Sequence, residues 1–156
     1  MTFSQLRHAG FLVDDVQQTA DFYTSVFGFG PFRIWTVNFT DVRLRGGEPG
    51  SFTTRIALAR IGEAELELVE SRPSAGRSLY FEEAKQKRSG CMHHLALTVA
   101  NLDEAIAGFG ATGVQVLMRG SFPGGRFAYL DSERQAGIIY EIMEMTPRQP
   151  SAAKGS

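Results

Sequence analysis

The chain has 156 residues, 43% of them hydrophobic, with 16 basic side chains against 17 acidic ones and a formal charge of -1. That length and apolar content suit one compact domain, or two small modules sharing a core, and the near-balance of charge excludes a net pull toward nucleic acid or anionic lipid. The single Cys91 rules out an internal disulfide, and no apolar run approaches the ~20 residues that a membrane-spanning helix needs.

The opening MTFSQLRHAG lacks the charged-then-apolar layout of a secretory signal, so a cytoplasmic protein is expected. From His8 the chain reads as a strand, with Ala9, Phe11 and Val13 alternating against His8, Gly10 and Leu12. Asp15-x-x-Gln18 then reads as a capping box. The helix behind it carries Val16, Ala20, Tyr23 and Phe27 on one stripe and closes near Gly28, a residue suited to a left-handed cap. In GPFRIWTVNF, the rings of Phe32, Trp35 and Phe39 are candidate walls of a ligand pocket, and core packing explains them equally well. RIALARI, GEA and ELELVE follow as an antiparallel hairpin.

The segment Ser71 to Gly90 reads as a partly helical joint, with Ser78 as a cap and a Glu83 to Lys87 pair one turn apart. Beyond it the first pattern returns. HLALTVANLDEAIAGF from His94 lies over HAGFLVDDVQQTADFY from His8 at a constant offset, placing His8 on His94, Phe11 on Leu97 and Val13 on Val99. Asn101-x-x-Glu104 repeats the capping box, Leu102, Ala105, Ile106 and Phe109 repeat the stripe, and RFAYLDS, ERQAG and IIYEIME repeat the hairpin. The expected fold is therefore α+β, two tandem βαβββ modules whose mixed sheets form an open barrel-like cup with the helices outside. Residues 1–70 make the first module, 71–90 the joint, 91–146 the second module and 147–156 a small, polar, disordered tail.

Parity assigns the chemistry. Both histidines sit opposite the bulky set of their strands. Glu67 projects away from Leu66 and Leu68, and Glu141 away from Tyr140 and Ile142. Two modules paired by pseudo-twofold symmetry would bring His8 and Glu67 to face His94 and Glu141 across one cup. Two imidazoles and two carboxylates suit one divalent Ni, Co, Zn or Mn ion, with positions left open for water or substrate. By the same alternation His93 should turn to the helix side as an ordinary buried histidine. Glu65 and Glu70 stay unassigned. GGEPG and PGG read as hairpin turns, since neither a GxGxxG nor a Walker pattern is present. No G-x-S-x-G exists, and Cys91 has no activating neighbour, so a nucleophile scheme gains nothing.

HAGFLVDDVQQTADFYTSVFGFGPF, MHHLALTVANLDEAI and GRFAYLDSERQAGIIYEIME resemble the opening, second-module and closing segments of the vicinal oxygen chelate superfamily, a likeness running from Leu6 to Met145. Within it SGCMHHLAL and GRFAYLDSE look most like the methylmalonyl-CoA epimerases. The resemblance implies metal ligands at His8, Glu67, His94 and Glu141, and a divalent-metal-dependent isomerase or epimerase working through an enolate on a small substrate with vicinal oxygens. It also implies Glu141 as the base. Glu48, in GGEPGS, is a second base by rough position or else a solvated loop residue. A carboxylate at Glu67, where the epimerases often have glutamine, resembles the bacterial glyoxalase I pattern and keeps a lactoylglutathione lyase as the alternative. A metal-free ligand-sequestering protein of the drug-resistance type is a second alternative, and an extradiol dioxygenase, which uses two histidines and one carboxylate, fits less well. The expected assembly is a homodimer.

Overall fold

The computed structural model describes residues 3–71, 75–76, 79–80 and 90–147. The first half runs β1 (Gln5–Val13), α1 (Val16–Phe27), β2 (Arg33–Leu44), β3 (Pro49–Ile61) and β4 (Ala64–Glu70), followed by a two-residue strand, β5 (Ala75–Gly76), paired with β3. The second half runs β6 (Cys91–Thr98), α2 (Leu102–Ala111), β7 (Val116–Phe122), β8 (Gly125–Leu130), a four-residue helix α3 (Glu133–Ala136) in place of a plain turn, and β9 (Ile139–Met145). Leu79 and Tyr80 are helical; the Ser78 cap and the Glu83 to Lys87 pair of the joint lie outside the described residues, as does the tail from residue 148. Among the described residues no helix is long and apolar enough to cross a membrane.

Both long helices begin as their sequences require. Asp15 and Asn101 are extended residues whose side chains accept the amides of Gln18 at 3.0 Å and Glu104 at 3.1 Å. A second carboxylate supports each first turn: Glu70 Oε1 accepts the Val16 amide at 3.4 Å, and Glu144 Oε2 accepts the Leu102 amide at 2.7 Å. Arg55 and Arg126 hold these two carboxylates at 3.1 and 2.7 Å. Glu70 thus ties a helix start to the sheet. Gly28 ends α1 at φ 71°, where a side chain would be strained.

Strand alternation sorts the apolar residues into three clusters. Val13, Leu66 and Leu68 pack with Val16 and Ala20 of α1, and Val99, Leu130 and Ile142 pack with Leu102 and Ala105 of α2. The opposite strand faces, with Leu12, Phe39, Ala96, Tyr129 and Met143, form an interior cluster between the halves. Phe27, in the last turn of α1, is 55% exposed although it continues the helix's apolar stripe, and its ring meets Phe22, Tyr23 and Phe29. Fully buried side chains such as Leu12 and Leu68 each stabilise the fold by about 1.5–3 kcal/mol.

The strands run in the order β2, β7, β8, β9, β6, β1, β4, β3, and β3 pairs again with β2. The two βαβββ units therefore share one sheet within one chain, with α1 and α2 outside. A short ladder, Val42 to Gly120, Arg43 to Arg119 and Leu44 to Met118, joins the rim of the cup into a ring. On the opposite side β1 and β6 form the main seam, antiparallel and centred on Ala9 facing Leu95. The seam is symmetric about that pair. His8 opposes Ala96 as Gly10 opposes His94, and Gln5 opposes Thr98 as Leu12 opposes Cys91.

Candidate metal centre

The four expected donors come from four adjacent strands at the middle of the seam. β4 lies parallel to β1 with Gly10 beside Glu67, and β9 lies parallel to β6 with Ala96 beside Glu141. Small residues flank the imidazoles because the rings need the space: a Cβ added at Gly10 would lie 2.0 Å from Cε1 of His94. The ring of one half occupies the vacancy left by the other half's glycine.

All four donors are buried, with His94 0% and His8 3% exposed. His8 Nε2 lies 3.0 Å from His94 Nε2, 3.0 Å from Glu141 Oε2 and 3.5 Å from Glu67 Oε2. His94 Nε2 lies 3.2 Å from Glu67 Oε2 and 3.5 Å from Glu141 Oε2. A cation with ligand bonds of about 2.1 Å separates neighbouring donor atoms by about 3.0 Å at right angles and about 3.4 Å at tetrahedral angles. The five imidazole–imidazole and imidazole–carboxylate spacings, 3.0–3.5 Å, lie at or close to that range, while Glu141 falls outside the group whose donor atoms all lie within 4.8 Å of one another. His8, Glu67 and His94 place ligand atoms within 4.8 Å of one another. Glu141 Oε2 is buried and accepts no hydrogen bond among the described residues, although it lies 3.0 Å from a ring nitrogen. A buried carboxylate oxygen aimed at two imidazoles fits a cation-holding set.

The charges respond to one another. Burial works to lower the pKa of His8, but the Glu67 and Glu141 carboxylates outweigh it and raise the value from 6.5 to about 9. Burial works to raise Glu67, and His8 and His94 outweigh it, so its carboxyl is held below its ordinary value.

Regular alternation does not hold along the whole seam. Leu6 opposes Leu97 and His8 opposes Ala96, so Arg7 is an extra residue on β1. Met92 opposes Phe11 and His94 opposes Gly10, so His93 is an extra residue on β6. These two bulges occupy equivalent places in the two halves. Each turns the residue before His8 or His94 to the interior. His93 was expected on the helix side; it lies inside, 1% exposed, with Nδ1 at 2.9 Å from Nδ1 of His94 and its ring edge-on to Tyr80 and Tyr129. Arg7 lines the cavity and pairs with Glu65 at 3.1 Å.

Above the centre opens a cavity of about 240 Å³, lined by His8, Glu67 and Glu141 and mostly by apolar side chains. Trp35, Val37 and Phe39 of β2 form one wall, so two of the three aromatic candidates reach it. Phe32 does not. It packs with Tyr23 against α1, and Ile34 in β2 does the same. Glu48 is exposed in the turn between β2 and β3 and is not among the lining residues. Sequence reasoning passed over Tyr80 and Tyr129, which line the cavity with their hydroxyls 2.8 Å apart. Tyr129 was legible in RFAYLDS, where it shares parity with Phe127. Burial first, and then the nearby carboxylates, push both phenols well above 10. They remain protonated donors.

The residue range 7–129 matches the profile of the Glyoxalase/Bleomycin resistance protein/Dioxygenase superfamily. No curated protein sequence matches the chain significantly. Among solved structures, a hypothetical protein from Bacillus halodurans C-125 aligns with a TM-score of 0.67 at 22% identity, over 94% of this chain and 97% of that one. A methylmalonyl-CoA epimerase in complex with methylmalonyl-CoA and NH4+ aligns with a TM-score of 0.65 at 23% identity, over 93% and 96% of the two chains. Methylmalonyl-CoA epimerase from Mycobacterium tuberculosis gives 0.66 at 19%, over 93% and 90%. At these identities the likeness is one of fold.

Proposed function

The chain belongs to the Glyoxalase/Bleomycin resistance protein/Dioxygenase superfamily, and from that premise we propose that it is a divalent-metal-dependent isomerase or epimerase that passes through an enolate of a substrate with vicinal oxygens. The observation that carries this reading is the convergence of two carboxylates on two imidazoles, at 3.0–3.5 Å from the ring nitrogens, beneath a mostly apolar cavity. His8, His94, Glu67 and Glu141 would hold the ion. A divalent cation held there would supply Lewis-acid stabilisation of an enolate oxygen, which makes the neighbouring C–H more acidic.

The chain's own groups do the rest. Glu141, which lines the cavity beside the two imidazoles, takes the substrate proton. Inversion of a stereocentre needs a group on the other face, and Glu67 lies across the histidine pair from Glu141, whereas Glu48 lies outside the cavity lining. Of the two protons on the Tyr80 and Tyr129 hydroxyls one is spent between them, which leaves one to donate to a substrate oxygen. The walls of Trp35, Val37 and Phe39 keep water from the carbanion.

The test is solvent-proton exchange. Metal-loaded protein incubated in D₂O with methylmalonyl-CoA and related 2-acyl thioesters is expected to place deuterium at the α-carbon of at least one of them. No incorporation into any would overturn the epimerase reading. Glu67, a carboxylate at the second position, favours a second reading: thioester formation from methylglyoxal and glutathione, as in a glyoxalase I type lyase. Purified protein holding well under one ion per chain would point instead to sequestration of an apolar ligand in the same cavity.

A further inference from the structure

We infer that His93 is a positioning residue of this centre: when a cation is held there, its Nδ1 accepts the Nδ1 proton of His94 and so keeps that ring's Nε2 bare toward the ion. The role toward a cation rests on the proposed function; the pairing of the two rings rests on geometry alone.

The argument is one of proton placement. The two Nδ1 atoms lie 2.9 Å apart, and such a contact between nitrogens needs a proton on one and a lone pair on the other. His94 Nε2 points into the donor set, 3.0 Å from His8 Nε2 and 3.2 Å from Glu67 Oε2. A histidine that gives Nε2 to a cation keeps its one proton on Nδ1, and a buried Nδ1–H requires an acceptor. His93 Nδ1 is that acceptor, so His93 carries its own proton on Nε2. Its ring is clamped edge-on between Tyr80 and Tyr129, at centroid distances of 5.7 and 5.9 Å, which fixes the direction of the lone pair.

Only the bulge makes this contact available, because regular alternation would carry the His93 side chain through the sheet. The matching bulge on β1 is occupied by Arg7, which has no lone pair to offer and is turned to Glu65. Of the two bulges, the one on β6 therefore brings an acceptor to its histidine and the one on β1 does not.

The experiment compares the full chain with His93→Asn, which keeps an acceptor, and His93→Phe, which keeps a ring without one. Zn²⁺ affinity by chelator competition and the ¹⁵N shifts of the histidine rings are the readouts, with melting curves reporting the fold. The expected result is a loss of about 10- to 100-fold in Zn²⁺ affinity for His93→Phe, substantial recovery in His93→Asn, and a His94 proton on Nδ1 in the wild type. Folded His93→Phe binding Zn²⁺ within about twofold of wild type would overturn the inference, as a ring that merely fills space predicts that result. Should the wild type take up no Zn²⁺, the cation reading falls, and the ¹⁵N shifts of the ion-free protein decide the pairing. A proton on His94 Nδ1 that is lost or displaced in His93→Phe upholds it, and a wild-type His94 protonated on Nε2 refutes it.

Discussion

Replacing Gly10 by alanine adds one methyl group in the one place where the centre has no room for it. The new Cβ would lie 2.0, 2.3 and 2.5 Å from Cε1, Nε2 and Nδ1 of His94. Ordinary carbon contacts are about 3.5–4.0 Å, so the ring must retreat by about 1.5 Å or the seam must part. Metal–ligand distances tolerate about 0.2 Å, so the His94 bond is lost, with an expected fall in Zn²⁺ affinity of at least about 100-fold. Stability suffers separately. Overpacking a buried site costs about 1–3 kcal/mol, and the unfolded-state gain of about 0.4–1 kcal/mol from removing a glycine does not offset it. Chelator competition measures the first effect and thermal unfolding of the ion-free protein the second. Gly10→Ala in a His94→Ala background should restore stability relative to Gly10→Ala alone, since the methyl then enters the space of the deleted ring. A Gly10→Ala protein with wild-type Tm and Zn²⁺ affinity within about threefold would refute the reasoning.

Exchange of solvent deuterium should fall by about 10²- to 10⁴-fold in Glu141→Gln, measured with the thioester that the wild type labels. Zn²⁺ affinity should rise about tenfold per pH unit between pH 7 and 9 and flatten above, because a cation must displace the proton that His8 retains up to about 9; calorimetry in buffers of different ionisation heat would count that proton. The same shift has a stability consequence of opposite sign. His8 is raised from 6.5 to about 9, so its contribution to the ion-free fold is complete below pH 6.5 and is lost as pH rises through about 9, which melting curves across that window would follow. Glu144 is held below its ordinary value by the Leu102 amide and then Arg126, so Glu144→Ala should lower Tm at pH 7 and by less as pH falls through the carboxylate range.

The parts of the centre that could be read from the amino acids are those that follow strand parity. His8, Glu67, His94 and Glu141 were placed by alternation within their own strands and by the duplication that relates them. β1 and β6 each break that alternation one residue before the histidine, at Arg7 and His93, and from the histidine onward the register is regular through Gly10 and Ala96. His93 could not be placed in that way. MHHLAL continues the alternating pattern without interruption, and the bulge that reverses His93 arises from pairing with β1, far away in the chain. Phe32 fails for a related reason: it precedes β2 and packs beside Tyr23, while Trp35 and Phe39 share the inward parity. Tyr80 belongs to the joint between the halves, where no periodicity marks which side chain reaches the interior. Gly10 carried a signal that was read only as alternation. A glycine two residues beyond a ligand histidine is space reserved for the ring of the partner strand.

The β1–β6 seam maps onto itself when its two strands are exchanged, bulges included. An edge with that property needs a single surface to come into being, since two identical copies of one βαβββ unit would already meet along it in the same register. Joining the copies in one polypeptide then invents no new contact. It releases the halves from having to match, and at the bulges they differ: one position is an arginine turned to a neighbouring carboxylate, and its twin is an imidazole behind the ring of His94.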